Sequence, residues 1–304
     1  MAISRHQLVK ELEPGLNALF GLEYKRYDNQ HAEIYTSESS DRAFEEEVML
    51  SGFGNASVKS EGSGVAFDNA QESYSARYTH ETVALAFAIT EEAIEDNLYD
   101  KISSRYTKAL ARSMSNAKQV KAAAPLNNGL PSVDGFDSGD GVSLFNTSHT
   151  TVSGTSVKNT LTTQADLNET SLEQAMIDIA AMTDERGLRI AAKAVKMIVP
   201  SANQFQAERL MKSQGRVGTA DNDINALGSM GMIPQGYRVN NFLTDTDSFY
   251  IITDVPNGMK MFTRAPLTTA MEGDFDTGNV RYKARERYSF GVSDFRGIFG
   301  VEGA

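Results

Sequence analysis

The 304-residue chain contains no cysteine, and this one absence removes disulfide scaffolds, thiolate metal sites and cysteine nucleophiles together. Histidine is nearly as scarce. Its four copies, His6, His31, His80 and His149, are scattered, with no i, i+4 pair and no His-Glu-x-x-His, so no histidine metal site is expected. No stretch approaches the roughly 20 uninterrupted apolar residues that a membrane span needs, and the opening Met-Ala-Ile-Ser-Arg-His-Gln lacks the apolar core of a signal peptide. Positive charge is in deficit: 29 Lys and Arg against 40 Asp and Glu leave a formal charge of -11. That opposes tight, sequence-independent binding to nucleic acid, while still permitting a protein that lines a container around it. These deficits describe a chain made and kept in a cytosol and stabilised by packing and association.

Groupings that carry chemistry are missing too. Gly52-Phe53-Gly54 and Gly139-Asp140-Gly141 each start like a dinucleotide loop but lack the third glycine and a βαβ setting. Asp221-Asn222-Asp223-Ile224-Asn225 resembles the start of a calcium loop, yet Ala226 stands where glycine is wanted and Met232 where a bidentate glutamate is wanted. His149 follows Ser148, but neither a nucleophile elbow nor an orienting carboxylate at a recognisable spacing accompanies the pair, so a polar loop histidine is expected. The expectation is a protein that is not an enzyme, with no catalytic residue, no cofactor and no metal.

What is present is an ordinary folded composition, 40% hydrophobic and 23% charged, arranged in an uneven order. Residues 1–36 read as an arm: a short helix from Gln7 to Leu12, cut by Pro14 and Gly15, then apolar Leu16, Leu19, Phe20 and Leu22. Residues 37–82 read as a long hairpin, with glycines at 52, 54, 62 and 64 between strand-like runs at Ala43 to Leu50 and Ser73 to Thr82. Alternation continues from Ser73 to Ile89, a run that could reach roughly 55 Å at about 3.3 Å per residue, so one end must project beyond a compact core.

Thr90, Glu91 and Glu92 then signal a helix start. Ile94, Leu98, Ile102, Tyr106, Ala109, Leu110, Met114, Ala117 and Val120 keep helical spacing until Pro125. A polar tract over 125–168 reads as an extended ordered loop. A second helix follows, with Thr170 and Glu173 as a capping box and Leu172, Met176, Ile179 and Met182 facing inward. Ala194 to Val199 reads as a buried strand, and Ser201 to Ser213 as a helix with Phe205, Ala207, Leu210 and Met211 on its apolar side. Strands are expected at Tyr237 to Leu243, Phe249 to Val255, Met259 to Thr263, Val280 to Tyr288 and Ile298 to Val301.

Within the Val280 strand, Arg281, Lys283, Arg285 and Arg287 are spaced by two, which places four cations on one face and Val280, Tyr282, Ala284 and Tyr288 on the other. Solvation, pairing with a neighbouring subunit and contact with nucleic acid are the readings of this row. Glu45-Glu46-Glu47 at the base of the hairpin is the candidate acidic partner.

This order of parts resembles the Hong Kong 97 type capsid fold of tailed-bacteriophage major head proteins, over nearly the whole chain. The closing words Arg281-Tyr282-Lys283-Ala284-Arg285-Glu286-Arg287-Tyr288, Gly291-Val292 and Asp294-Phe295-Arg296-Gly297 are similar to the ends of such proteins. The resemblance implies an α+β fold with an N-terminal arm (1–36), an E-loop (37–82), a peripheral domain (83–193) with a spine helix (90–124), an axial domain (194–269), and C-terminal strands (270–304) returning to the peripheral domain. It implies a virion subunit, assembled in the host bacterial cytoplasm, that forms pentameric and hexameric capsomers of an icosahedral head around double-stranded DNA, with at most weak contact to it. Scaffolding, portal and decoration proteins are the implied partners, and the scaffold is separate because Met1 leads straight into the arm. Some relatives cross-link a hairpin lysine to a neighbour, and Lys59 is in a suitable segment. Inter-subunit contact candidates are therefore Glu45, Glu46, Glu47, Lys59, Arg281, Lys283, Arg285 and Arg287. The rivals are an encapsulin-like cellular compartment, a tail-tube subunit and a soluble α+β enzyme.

Overall fold

The computed structural model describes residues 5–90, 92, 99–133, 135–215, 224–274 and 278–304. Glu91, Ile94 and Leu98 of the expected helix start, and Asp221 to Asp223 of the calcium-like stretch, lie outside them. Two four-stranded sheets organise the chain. The first runs β1 (Thr36–Ser39), β10 (Met259–Gly273), β11 (Val280–Val292), β4 (Glu81–Ile89), with β1 parallel to β10 and the other pairs antiparallel. The second runs β12 (Ile298–Val301), β9 (Phe249–Thr253), β7 (Ala194–Val199), β8 (Tyr237–Val239), with only β7 and β8 parallel. A hairpin of β2 (Phe44–Leu50) and β3 (Glu72–Thr79) projects from the first sheet, and β5 (His149–Thr150) with β6 (Ser156–Val157) punctuates the polar tract.

One face of the first sheet is covered by α1 (Arg5–Arg26) and α2 (Tyr99–Asn128). Leu16 and Phe20 of α1 pack with Leu110, Ala111 and Met114 of α2 against Tyr282 and Ala284 of β11. This burial corrects the expectation of a short helix cut at Pro14. The proline removes one backbone donor, but helix stability in a folded chain comes mainly from tertiary packing of the apolar face. The same reasoning carries α2 past Pro125 to Asn128, because Leu126 and Leu130 are buried in the main core and the Tyr250 hydroxyl donates to the Leu126 carbonyl at 3.2 Å.

The buried stripe of α2 is rotated from the one the apolar spacing marks. Tyr106 and Val120 are 52% and 50% exposed, while Thr107, Ser115 and Gln119 are buried. Gln119 is inside because it is satisfied there: its side-chain oxygen accepts from the His31 backbone at 3.0 Å and its amide donates to His31 Nδ1 at 3.0 Å.

The second sheet packs on α3 (Glu169–Ala180) and α4 (Gln204–Lys212), with Leu172, Met176, Ile179 and Met182 all inward. The cap of α3 is Asn168 with Ser171, rather than Thr170 with Glu173: Asn168 Oδ1 accepts from the Ser171 backbone at 2.8 Å, and Ser171 Oγ accepts from the Asn168 backbone at 3.0 Å. Phe205 is 67% exposed, contrary to its expected place on the apolar side of α4. Only Ala207 and Leu210 of that helix are buried. A short helix, α5 (Ala226–Met230), closes this end. The long alternating run from Ser73 breaks at His80, so that β3 pairs in the hairpin and β4 in the first sheet. Of the C-terminal strands, β11 pairs with β4 in the first sheet and β12 with β9 in the second. Gly258 and Gly297 let the chain cross itself there: a Cβ built on Gly297 would lie 2.3 Å from the Gly258 Cα, so a side chain at either position is excluded.

At this crossing lies Arg296, only 2% exposed. Its guanidinium donates to Glu185 Oε1 at 2.6 Å, to Asp294 Oδ1 at 3.2 Å and to the Thr183 carbonyl at 2.7 Å. Glu185 accepts in turn from the Val152 backbone at 3.1 Å and from Ser73 Oγ at 3.0 Å. Removing one partner of a buried ion pair leaves uncompensated charge. Arg296→Ala is therefore expected to destabilise the isolated subunit by about 3–5 kcal/mol, measured by urea unfolding. A loss below about 1 kcal/mol would match an exposed ion pair and contradict this account.

His31 supplies a pH prediction. Burial, reinforced by the nearby Lys118 ammonium, lowers its pKa to about 4, and the Gln119 amide donating to Nδ1 holds the neutral ring. A base whose folded pKa lies below its unfolded value contributes fully above pH 6.5 and is lost as pH falls towards 4. Stability should decline by up to about 3 kcal/mol across that window, at 1.36 kcal/mol per unit. His31→Gln should flatten the decline in urea titrations at pH 4.5 and 7, and an unchanged slope would contradict the assignment.

Candidate inter-subunit surfaces

The hairpin is rooted by polar groups with specific partners. Lys260 of β10, nearly buried, donates to Glu47 Oε1 at 2.5 Å and lies 3.1 Å from Glu38 Oε1. The Ser293 hydroxyl donates to the other Glu47 oxygen and lies 2.5 Å from the Tyr78 hydroxyl. Tyr78 packs edge-on against Phe262 and lies over Gly291, where a Cβ would come within 2.6 Å of the ring. At the break between β3 and β4, His80 bridges Ser289 and Ser40 at 2.9 Å each, and Ser40 Oγ donates to Glu45 Oε1 at 2.6 Å. Two of the three hairpin glutamates are thus engaged in their own subunit. Glu46, directly opposite Arg77 in register, is half exposed and only 3.7 Å from its guanidinium.

Beyond Leu50 the hairpin has little regular pairing, and its apolar side chains find no core. Val58 and Phe67 are each 97% exposed, with Phe53 and Val65 also exposed. Lys59 is exposed in the same stretch. Asp68 accepts from the Gly54 backbone at 2.7 Å and from Arg186 at 2.8 and 3.0 Å, tying the two arms of the tip together and to the loop after α3. These contacts hold the carboxyl of Asp68 below its ordinary range, the Gly54 hydrogen bond most of all.

On β11 the cation row is placed as its spacing demands. Arg281, Lys283 and Arg285 are exposed and Arg287 is half-buried, while Val280, Tyr282, Ala284, Glu286 and Tyr288 point inward. The structure does not bring Glu45, Glu46 or Glu47 to these cations within one subunit; Arg281 pairs with Asp274. Sequence reasoning missed Glu286, although its phase in the alternation put it on the inner face. Burial pushes its carboxyl up, and Lys118 of α2 at 3.3 Å partly opposes the shift. Tyr24 of α1 donates to the same carboxylate at 3.5 Å, so this one buried group joins α1, α2 and β11.

His149 performs no chemistry with Ser148. It is fully buried, stacked on Phe295 at 3.8 Å, with Nδ1 2.6 Å from Asp140 Oδ2 and Nε2 3.1 Å from Asn159 Oδ1. The Ser148 hydroxyl instead accepts from Ser156 at 2.8 Å. Asn159 donates to the carbonyls of Leu144 at 2.7 Å and Phe295 at 3.2 Å, so this cluster fastens the polar tract to the second sheet. Among the described residues no group of three or more His, Asp or Glu is arranged to hold a metal ion.

A family profile described as phage capsid protein matches residues 73–301, from the returning hairpin strand to β12. No curated protein matches the chain. Among solved structures, the capsid of Myoviridae phage XM1 superposes with a TM-score of 0.55 at 12% identity, over 89% of each chain. A chain of Mycobacterium phage Adephagia gives 0.51 at 12% identity, over 100% of this chain and 99% of that one. The virus-like particle from Pyrococcus furiosus gives 0.50 at 10% identity, over 94% and 98%. At such identities these likenesses establish the fold, which is the α+β Hong Kong 97 type. Because the family profile spans both sheets and most of the helices between them, the chain belongs to the phage capsid protein family, whose members are structural shell proteins.

Proposed function

We propose that this chain is the major capsid protein of a tailed phage, self-assembling as pentamers and hexamers into an icosahedral head that encloses double-stranded DNA. The observation that carries this reading is the hairpin: its root is bolted to the body by buried polar groups, while Phe53, Val58, Val65 and Phe67 at its far end face solvent. Exposed apolar groups clustered on a projecting element mark an association surface. Many such contacts repeated under closed symmetry add up to a stable shell from weak pairwise terms.

In this reading residues 37–82 cross a neighbouring subunit, the unit from 194 to 269 lies at the capsomer axis with the exposed Phe205 and Met230, and residues 83–193 form the periphery. Glu46, Lys59, Arg281, Lys283, Arg285 and Arg287 reach neighbours, whereas Glu45 and Glu47 act by holding the hairpin in place. A separate scaffolding protein, a portal and in some circumstances a decoration protein complete the head, which is assembled in the host cytoplasm. The likeness to the Pyrococcus furiosus particle, over 94% of this chain, favours a second reading, an encapsulin-like compartment that encloses protein cargo instead of a genome.

Negative-stain electron microscopy of the recombinant protein, with and without candidate scaffolding protein, tests the proposal. Closed icosahedral particles or ring-shaped capsomers are expected, and a strictly monomeric or dimeric protein under every condition would overturn it. Phe67→Ser should leave the unfolding midpoint of the subunit within about 0.5 kcal/mol of the parent, as for exposed sites generally, while cutting particle yield severalfold. Full assembly of this variant would remove the hairpin tip from the interface.

A further inference from the structure

The open face of the first sheet, opposite α1 and α2, has an unusual make-up. Residues directly opposite in an antiparallel ladder share a face. Arg281, Lys283, Arg285 and Arg287 are therefore flanked on β4 by Ala88, Ala86, Ala84 and Thr82, and on β10 by Glu272, Ala270, Thr268 and Ala265. A basic ridge stands on a floor made largely of alanine, low enough for another polypeptide backbone to approach closely.

At one end of the ridge Arg264 joins it, beside the irregularity in register between Thr263 and Ala265. Arg264 precedes Ala265, the register partner of Arg287, and the charges of both arginines, opposed by that of Glu45, bear on His80 at the foot of the hairpin. Among the described residues the Nε atoms of both arginines are buried with no acceptor, and no ion pair uses Lys283, Arg285 or Arg287. Buried donors without acceptors destabilise the free subunit, and like charges on one strip add to that. An arriving anion offsets both.

We propose that Arg264, Arg281, Lys283, Arg285 and Arg287, over this alanine floor, form a docking surface for a carboxylate-bearing extended segment of a second copy of the chain. The inference rests on the shell reading. Local charge favours this occupant: Asp41, Glu61 and Glu72 are exposed with no ion pair in their own chain among the described residues, so each copy presents carboxylates to meet the cations of another. Cations two residues apart on a strand lie about 6.6 Å apart, which matches alternate carboxylates of an extended partner. Phosphates of a nucleic acid would meet the same cations, and the DNA-filled arm of the test below separates the two occupants.

Because the chain has no cysteine, Ala86→Cys places a single thiol in the middle of the floor, at an exposed position. Its maleimide labelling rate is measured on free subunits, on DNA-free shells and on DNA-filled shells. Labelling at least tenfold slower in DNA-free shells, with no further slowing by DNA, is expected. An unchanged rate in DNA-free shells overturns the proposal, as does protection found only with DNA, which would assign the face to nucleic acid. The double variant Arg264→Gln, Arg287→Gln should fold with at least the parent's thermal midpoint yet lose its shells at a lower salt concentration. Parental salt tolerance would show that the charges are not engaged. Failure of the parent chain to form any particle would instead strike the shell reading.

Discussion

Everything that projects from this molecule depends on a buried ion cluster around Arg296. The guanidinium, held between Asp294 and Glu185 over the ring of Phe295, joins three segments that are far apart in sequence: the returning strand of the hairpin at Ser73, the polar tract at Val152, and the C-terminal crossing at Gly258 and Gly297. Burial pushes the Asp294 carboxyl up, with the arginine charge opposing it. Apolar packing is non-directional and could not by itself set the angle at which a hairpin leaves a sheet. Charge-assisted hydrogen bonds, with fixed donor and acceptor directions, can. Glu47 with Lys260 and Ser293, and His80 between two serines, repeat the device closer to the hairpin strands.

The consequence is a subunit with a finished interior and an unfinished exterior. One cluster of buried side chains fills the space between the second sheet and α3, and a smaller one seals α1 and α2 onto the first sheet. Neither reaches the hairpin tip, Phe205 or the open face of β11. The strict alternation of β11 divides it into two chemistries, with tyrosines and Glu286 inward and cations outward. A single strand therefore serves both the stability of one copy and its contact with others.

Much of this was legible in the sequence wherever one physical signal dominated. β7 ends at Pro200 and β12 is a short apolar run, so their limits follow from side-chain type, and the alternation of β11 fixes both its faces, although the strand continues four residues past the expected Tyr288 to Val292. The signals failed where tertiary partners overrode local preference. Pro14 and Pro125 lie inside helices because buried neighbours hold the flanking turns, and α2 turns its Gln119 inward because His31 is there to receive it. The surface residues divided in the same way. The cation row was visible from spacing, and Glu286 could have been found from its phase. The engagement of Glu47 depends on partners more than 200 residues away, that of Glu45 on a serine that His80 holds from the far strand of the hairpin, and the place of Arg264 beside the cation row on an irregular register in β10 that no local pattern encodes.

Hydrogen–deuterium exchange on free subunits and on assembled particles tests most directly whether the exterior is completed by other copies. Backbone amides of residues 51–71, which lie outside the paired part of the hairpin, should exchange rapidly in the free subunit and become strongly protected in particles, while β7 and β9 remain equally protected in both. Equal protection of residues 51–71 in the free subunit, or rapid exchange there in intact particles, would contradict the account.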